Sequence, residues 1–194
     1  MQTGKQTTLI DMLKFDNGAD KSAHDDLIIF TITHLDQLGN LVHPSVGNPH
    51  YKYTLMHTDY KLEQPITRSN GFIIGFVDVW LTAKYSYMRV FHKGDTVQEA
   101  HDGWGQKYYD QDGTVEAFTF LNILIECKTS KENITLGNVL RQMKTYATYL
   151  DNPNMFLITD YPLENHANIL KHEGILPIFA DYSSDNFMVL CDKL

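Results

Sequence analysis

Residues 117–128 read Ala-Phe-Thr-Phe-Leu-Asn-Ile-Leu-Ile-Glu-Cys-Lys, an apolar run that closes on Glu126-Cys127-Lys128. In an extended chain, residues two apart share a face, so Glu126 and Lys128 project together while Cys127 turns into the core. A second run, Phe72-Ile-Ile-Gly-Phe-Val-Asp-Val-Trp80, predicts a strand over 72–84 that is interrupted only by Asp78. Residues 63–68 predict its hairpin partner, turning near Ser69-Asn70-Gly71, because Asn-Gly favours a tight turn. Tyr85 to Phe91 extends the second strand. The clearest helical spacing is Leu136, Val139, Leu140, Met143, Tyr146, Ala147 and Leu150. It predicts a helix over 135–150 with Thr135 as N-cap and Asp151-Asn152-Pro153 as its stop. Met155 to Thr159 predicts a short strand, so the region reads as strand, helix and parallel strand. Residues 163–173 read as a helix ending at Gly174, and 175–179 and 187–190 as short edge strands.

The N-terminal third carries weaker signals. Residues 7–15 suit a short helix, and Asp16 to Asp26 reads as a polar loop. In 27–38 two patterns compete. Leu27, Ile28, Thr31, Ile32, Leu35 and Leu38 fit a helical stripe. The run Ile-Ile-Phe-Thr-Ile-Thr favours a strand turning at Leu38-Gly39-Asn40, and the strand is the expectation. Residues 43–50 form a loop, and 51–62 are again ambiguous. Residues 93–116, rich in Gly, Asp and aromatics, form an excursion between the two main strands. The elements add up to an α/β fold: a single domain over 1–194, with its core in about 61–160 and an N-terminal extension over 1–60.

Composition narrows the function. The net charge of −8 argues against a surface coated with cations for general nucleic-acid binding, although 126–144 carries a local net charge of +2. Cys127 and Cys191 offer neither a disulfide framework nor metal-cluster spacing. No apolar run approaches a membrane span, and Met1-Gln2-Thr3-Gly4-Lys5 lacks a signal-peptide core. A cytoplasmic, reducing setting without membrane contact is expected.

A lone aspartate inside an apolar strand is costly to bury unless it is paired or holds a metal. Taken singly, Asp78 suits a turn cap, and Glu126 with Lys128 a same-face salt bridge. Taken together, on neighbouring strands followed by an amphipathic helix, they point to a site. Two carboxylates suit a hard divalent ion, and a lysine beside them suits a phosphate.

At these residues the chain resembles the PD-(D/E)xK nuclease superfamily. The aspartate of the pattern falls on Gly75-Phe-Val-Asp78, its Glu-x-Lys on Glu126-Cys127-Lys128, and the helix that follows carries Gln142-Met-Lys-Thr-Tyr146. The last of these resembles the Gln-x-x-x-Tyr signature of the RecB-type branch. The resemblance covers roughly 61–160 and implies a restriction-endonuclease-like core, a mixed central sheet flanked by helices, with the β excursion between the two catalytic strands. It implies a Mg²⁺- or Mn²⁺-dependent deoxyribonuclease with Asp78, Glu126, Lys128, Gln142 and Tyr146 as catalytic residues. Asp78, Glu126 and the backbone carbonyl of Cys127 would hold the metal. Glu63 and an upstream histidine, His57 or else His50, are further candidate ligands. Lys131, Arg141 and Lys144 are candidate contacts to the substrate backbone. Trp104, Tyr108 and Tyr109 suit base stacking or an aromatic cluster under a loop. The four clustered cysteines of iron–sulfur relatives are absent, so no such cluster is expected. The expected partner is DNA, with RNA left open, and the negative charge points to a homodimer or a partner subunit. The competing class is a nuclease-like module that binds DNA or protein without cleaving. The chain departs from the pattern in having Val77 before Asp78, and in placing Asp78 and Glu126 48 residues apart.

Overall fold

A computed structural model describes residues 23–42, 51–89, 100–101, 107–108, 117–130 and 135–190. The elements are α1 (Ala23–Thr33), α2 (Leu35–Leu41), β1 (Tyr51–Thr67), β2 (Ile73–Arg89), β3 (Ala100–His101), β4 (Lys107–Tyr108), β5 (Ala117–Lys128), α3 (Leu136–Tyr149), β6 (Asn154–Thr159), a 3₁₀ turn (Glu164–His166), α4 (Ala167–His172), β7 (Ile175–Asp181) and β8 (Asn186–Val189). Six strands form one mixed sheet in the order β1-β2-β5-β6-β7-β8. The β5–β6 and β6–β7 pairs are parallel and the other three antiparallel. Helices flank the sheet, so the architecture is α/β. The helix expected over 7–15 and most of the excursion lie outside the described residues; the described part of the excursion is the small β3–β4 ribbon.

The strand expected over 27–38 is instead helical, α1 followed by α2. Packing decides the outcome. Leu27, Phe30, Ile32, Leu35 and Leu38 are buried in one core with Val79, Leu81, Ile123, Ile125, Cys127, Ile158 and Phe187. The two threonines of α1 bond their hydroxyls within the helix. Thr31 Oγ1 donates to Leu27 O at 2.8 Å, and Thr33 Oγ1 to Phe30 O at 2.9 Å. The start of α1 also shortens the loop expected over 16–26. On the other side of the sheet, Val139, Met143 and Tyr146 of α3 pack with Ile66, Val77, Leu124, Leu157 and Leu170.

The β1–β2 hairpin is longer than its sequence signal, since residues 51–62 join 63–67 in one strand. Its turn is a three-residue loop rather than a two-residue Asn-Gly turn. Gly71 N donates to Arg68 O, Arg68 N donates to Phe72 O, and Gly71 takes the left-handed conformation (φ 81°) that closes the loop. Pro65 is tolerated because β1 is an edge strand. Among the described residues, no helix is long and apolar enough to cross a membrane.

Tyr85 ties the hairpin to α2. Its buried hydroxyl donates towards Gly39 O at 2.5 Å and Val42 O at 2.9 Å. Burial pushes its pKa up to about 12, so it remains a donor at any physiological pH. Tyr85→Phe is expected to lower stability by roughly 1–2 kcal/mol, read from urea unfolding midpoints, because it strips carbonyls of their donor.

Candidate active site

The β2–β5 ladder ends at Val79↔Ile125, one pair short of bringing Asp78 opposite Glu126. Beyond it, Glu126, Cys127 and Lys128 pair only with β6. Two carboxylates facing each other across a ladder repel, and here the strands part. The Asp78 carboxylate then takes the place of a strand carbonyl: Cys127 N donates to Asp78 Oδ2 at 2.8 Å. The edge strand bends at the same level. Glu63, between the pairs Leu62↔Val79 and Gln64↔Val77, has φ 47°, a conformation that non-glycine residues rarely adopt. The result is a cleft at the carboxyl end of β5.

Glu126 lies at the back of the cleft, its side chain 1% exposed, against 10% for Lys128 and 17% for Asp78. Lys128 Nζ is 2.8 Å from Glu126 Oε1 and 3.9 Å from Asp78 Oδ2. From α3, Gln142 Nε2 donates to Glu126 Oε1 at 2.7 Å and towards the Tyr146 hydroxyl at 3.3 Å. Glu126 Oε2 is buried with no hydrogen-bond partner among the described residues. Burial pushes the Glu126 pKa up to about 7, and Asp78 adds to the rise; Lys128 and His24 pull the other way.

His24, a residue with no place in the sequence reading, completes the cleft. From the first turn of α1 its Nε2 lies 3.2 Å from Cys127 O and 3.5 Å from Asp78 Oδ2. The strand assignment over 27–38 hid it. A helical reading extended upstream places His24 three residues before Leu27 and seven before Thr31, on the buried stripe.

The structure thus brings Asp78, Glu126, Lys128, Gln142, Tyr146 and the Cys127 carbonyl together and adds His24. The Cys127 thiol points the other way, towards Thr31 Oγ1 at 3.6 Å in the α1 core, and burial raises its pKa. Glu63 falls across the ladder from Asp78 but is exposed. His57 is also exposed and pairs with Lys84, six residues along β2 from Asp78, or about 20 Å of strand. Arg141 and Lys144 lie on the solvent side of α3, Arg141 bonded to Asn138 and Lys144 to Glu173. His50, Lys131, Trp104, Tyr109 and Cys191 are outside the described residues, and the side chain of Tyr108 is not described.

The oxygen donors suit a hard divalent ion, and the His24 imidazole adds a nitrogen donor. His24 Nε2, Asp78 Oδ2 and Cys127 O are spaced 3.2 and 3.5 Å apart at His24, and neighbouring ligands of an octahedral Mg²⁺ lie about 3 Å apart. The Glu126 oxygen that has no partner among the described residues is a further donor. Among the described residues, no three His, Cys, Asp or Glu side chains form a ready-made cage. Lys128 stands between the two carboxylates. Comparison of the chain with protein-family profiles, curated proteins and solved structures finds no match.

Two predictions follow from the packing and charge of the cleft. A methyl group at Gly75 would run into the hydroxyl and ring of Tyr146. Gly75→Ala is therefore expected to destabilise by roughly 1–3 kcal/mol, and Gly75→Ala/Tyr146→Leu by less than the sum of its parts, in a urea double-mutant cycle. For Glu126, a folded-state pKa above the ordinary 4.5 means that its stabilising contribution is complete below that pH and is lost as the pH rises through about 7. In EDTA, Glu126→Gln should therefore gain on the wild type between pH 4.5 and 7, by up to roughly 3 kcal/mol in paired thermal melts; a constant difference would remove the assignment.

Proposed function

We propose that the protein is a metal-dependent nuclease that hydrolyses phosphodiester bonds of DNA, built on a restriction-endonuclease-like core. The carrying observation is the convergence of His24, Asp78, Glu126 and Lys128, from α1, β2 and β5, on one cleft with a buried carboxylate oxygen that lacks a partner among the described residues. The strand–helix–strand unit from β5 to β6, with the β1–β2 hairpin beside it, supports the core assignment.

His24, Asp78, Glu126 and the Cys127 carbonyl would hold Mg²⁺ or Mn²⁺. Such an ion supplies Lewis-acid polarisation of the phosphodiester and acidification of water. The chain's own residues do the rest. Lys128 offsets charge that develops on the phosphate and orients the attacking water. Gln142 fixes the Glu126 carboxylate by its 2.7 Å hydrogen bond, and Tyr146 fixes Gln142, so both are positioning residues. His24 replaces His57 as the upstream histidine of this reading.

The test is cleavage of linear and circular, single- and double-stranded DNA, and of RNA, in Mg²⁺, Mn²⁺ or EDTA. Cleavage should require the metal and fall by about a hundredfold or more in His24→Ala, Asp78→Ala and Lys128→Ala. Activity surviving in both Asp78→Ala and Lys128→Ala would remove the site. DNA binding without cleavage under every condition would make the protein a non-catalytic binding module.

A further inference from the structure

Asp78 and Glu126 lie just beyond the point where the β2–β5 ladder ends, and the Lys128 ammonium reaches both. Two carboxylates this close need a cation to remain ionised together. Lys128 supplies it from two residues along the strand that carries Glu126. Its 2.8 Å contact is to Glu126 Oε1, the oxygen that also accepts from Gln142, while Oε2 has no partner among the described residues.

Resting on the metal-dependent reading above, we propose that Lys128 is a resident counter-ion that a divalent cation displaces from Asp78 and Glu126, and that this exchange sets the affinity for the metal. The surroundings permit it. A lysine ammonium rides on a flexible four-carbon stem and can swing away without moving the backbone. Gln142 retains Glu126 through its own 2.7 Å hydrogen bond, so the carboxylate does not lose its orientation when the lysine departs. Asp78 is likewise retained by Cys127 N at 2.8 Å. A phosphate that pairs with Lys128 draws it from the carboxylates. Metal and phosphodiester therefore promote each other's binding, as linkage requires.

The experiment is a calorimetric titration of Mn²⁺ alone, at pH 7.5 and without nucleic acid, into the whole protein and its Lys128→Met, Lys128→Gln and Glu126→Gln variants. Both lysine variants should bind Mn²⁺ about tenfold or more tightly than the wild type, although neither cleaves DNA, and Glu126→Gln should bind more weakly. Lysine variants that bind with unchanged or weaker affinity, beside a wild type that binds, overturn the exchange and leave the metal reading standing. No Mn²⁺ binding in any form overturns both. Should the lysine variants fail to fold, the wild type still decides. Saturating Mg²⁺ should speed hydrogen exchange of the slowly exchanging lysine ammonium in ¹⁵N spectra, and an ammonium indifferent to Mg²⁺ overturns the proposal.

Discussion

The contact on which the cleft depends is the hydrogen bond from the Cys127 amide to the Asp78 carboxylate. It stands where the β2–β5 ladder would otherwise continue. A buried backbone N–H at the end of a ladder must find an acceptor, and a charged acceptor is stronger than a strand carbonyl. The sheet can therefore open at this level without leaving the amide unsatisfied. The opening leaves the Cys127 carbonyl outside the β2–β5 ladder and admits His24 beside it. If Asp78 were apolar, β2 would have reason to continue beside β5 and close the cleft.

Glu126 is held by opposing influences. Burial disfavours its charge, Asp78 disfavours it further, and Lys128 and His24 favour it. Its position is steadied from α3 by a chain of contacts that begins on the backbone of β2. Gly75 leaves room for the Tyr146 ring, Tyr146 meets Gln142, and Gln142 holds Glu126. The glycine three residues before Asp78 thus bears on a carboxylate of another strand. No contact between Gly75 and Glu126 is needed.

Much of this was legible because strands and amphipathic helices print their period on the sequence. The apolar run ending in Glu126-Cys127-Lys128, the aspartate interrupting 72–80 and the Gln142–Tyr146 spacing identified five side chains that the fold gathers. The failures have one physical source. An apolar, β-branched segment does not reveal its period when nearly every residue packs, so α1 read as a strand and His24 fell into a loop. The choice of His57 instead relied on order in the sequence, whereas register along β1 puts that residue far up the hairpin. The turn at 69–71 showed its Asn-Gly signal, but the side chain of Asn70, which accepts from Phe72 N, serves a longer loop.

The seat of α1 has a consequence for the order in which the molecule assembles. His24 reaches the cleft only because α1 rests on a core drawn from β2, β5, β6 and β7, with Phe187 of β8 beside Phe30. The helix is among the first described segments to be synthesised, and part of its seat is among the last. A nascent chain that has already made Asp78, Glu126 and Lys128 still lacks part of the surface on which α1 rests, so the seat of His24 is complete only once β6, β7 and β8 are made. Long-range topology thus delays the completion of the cleft until translation reaches β8.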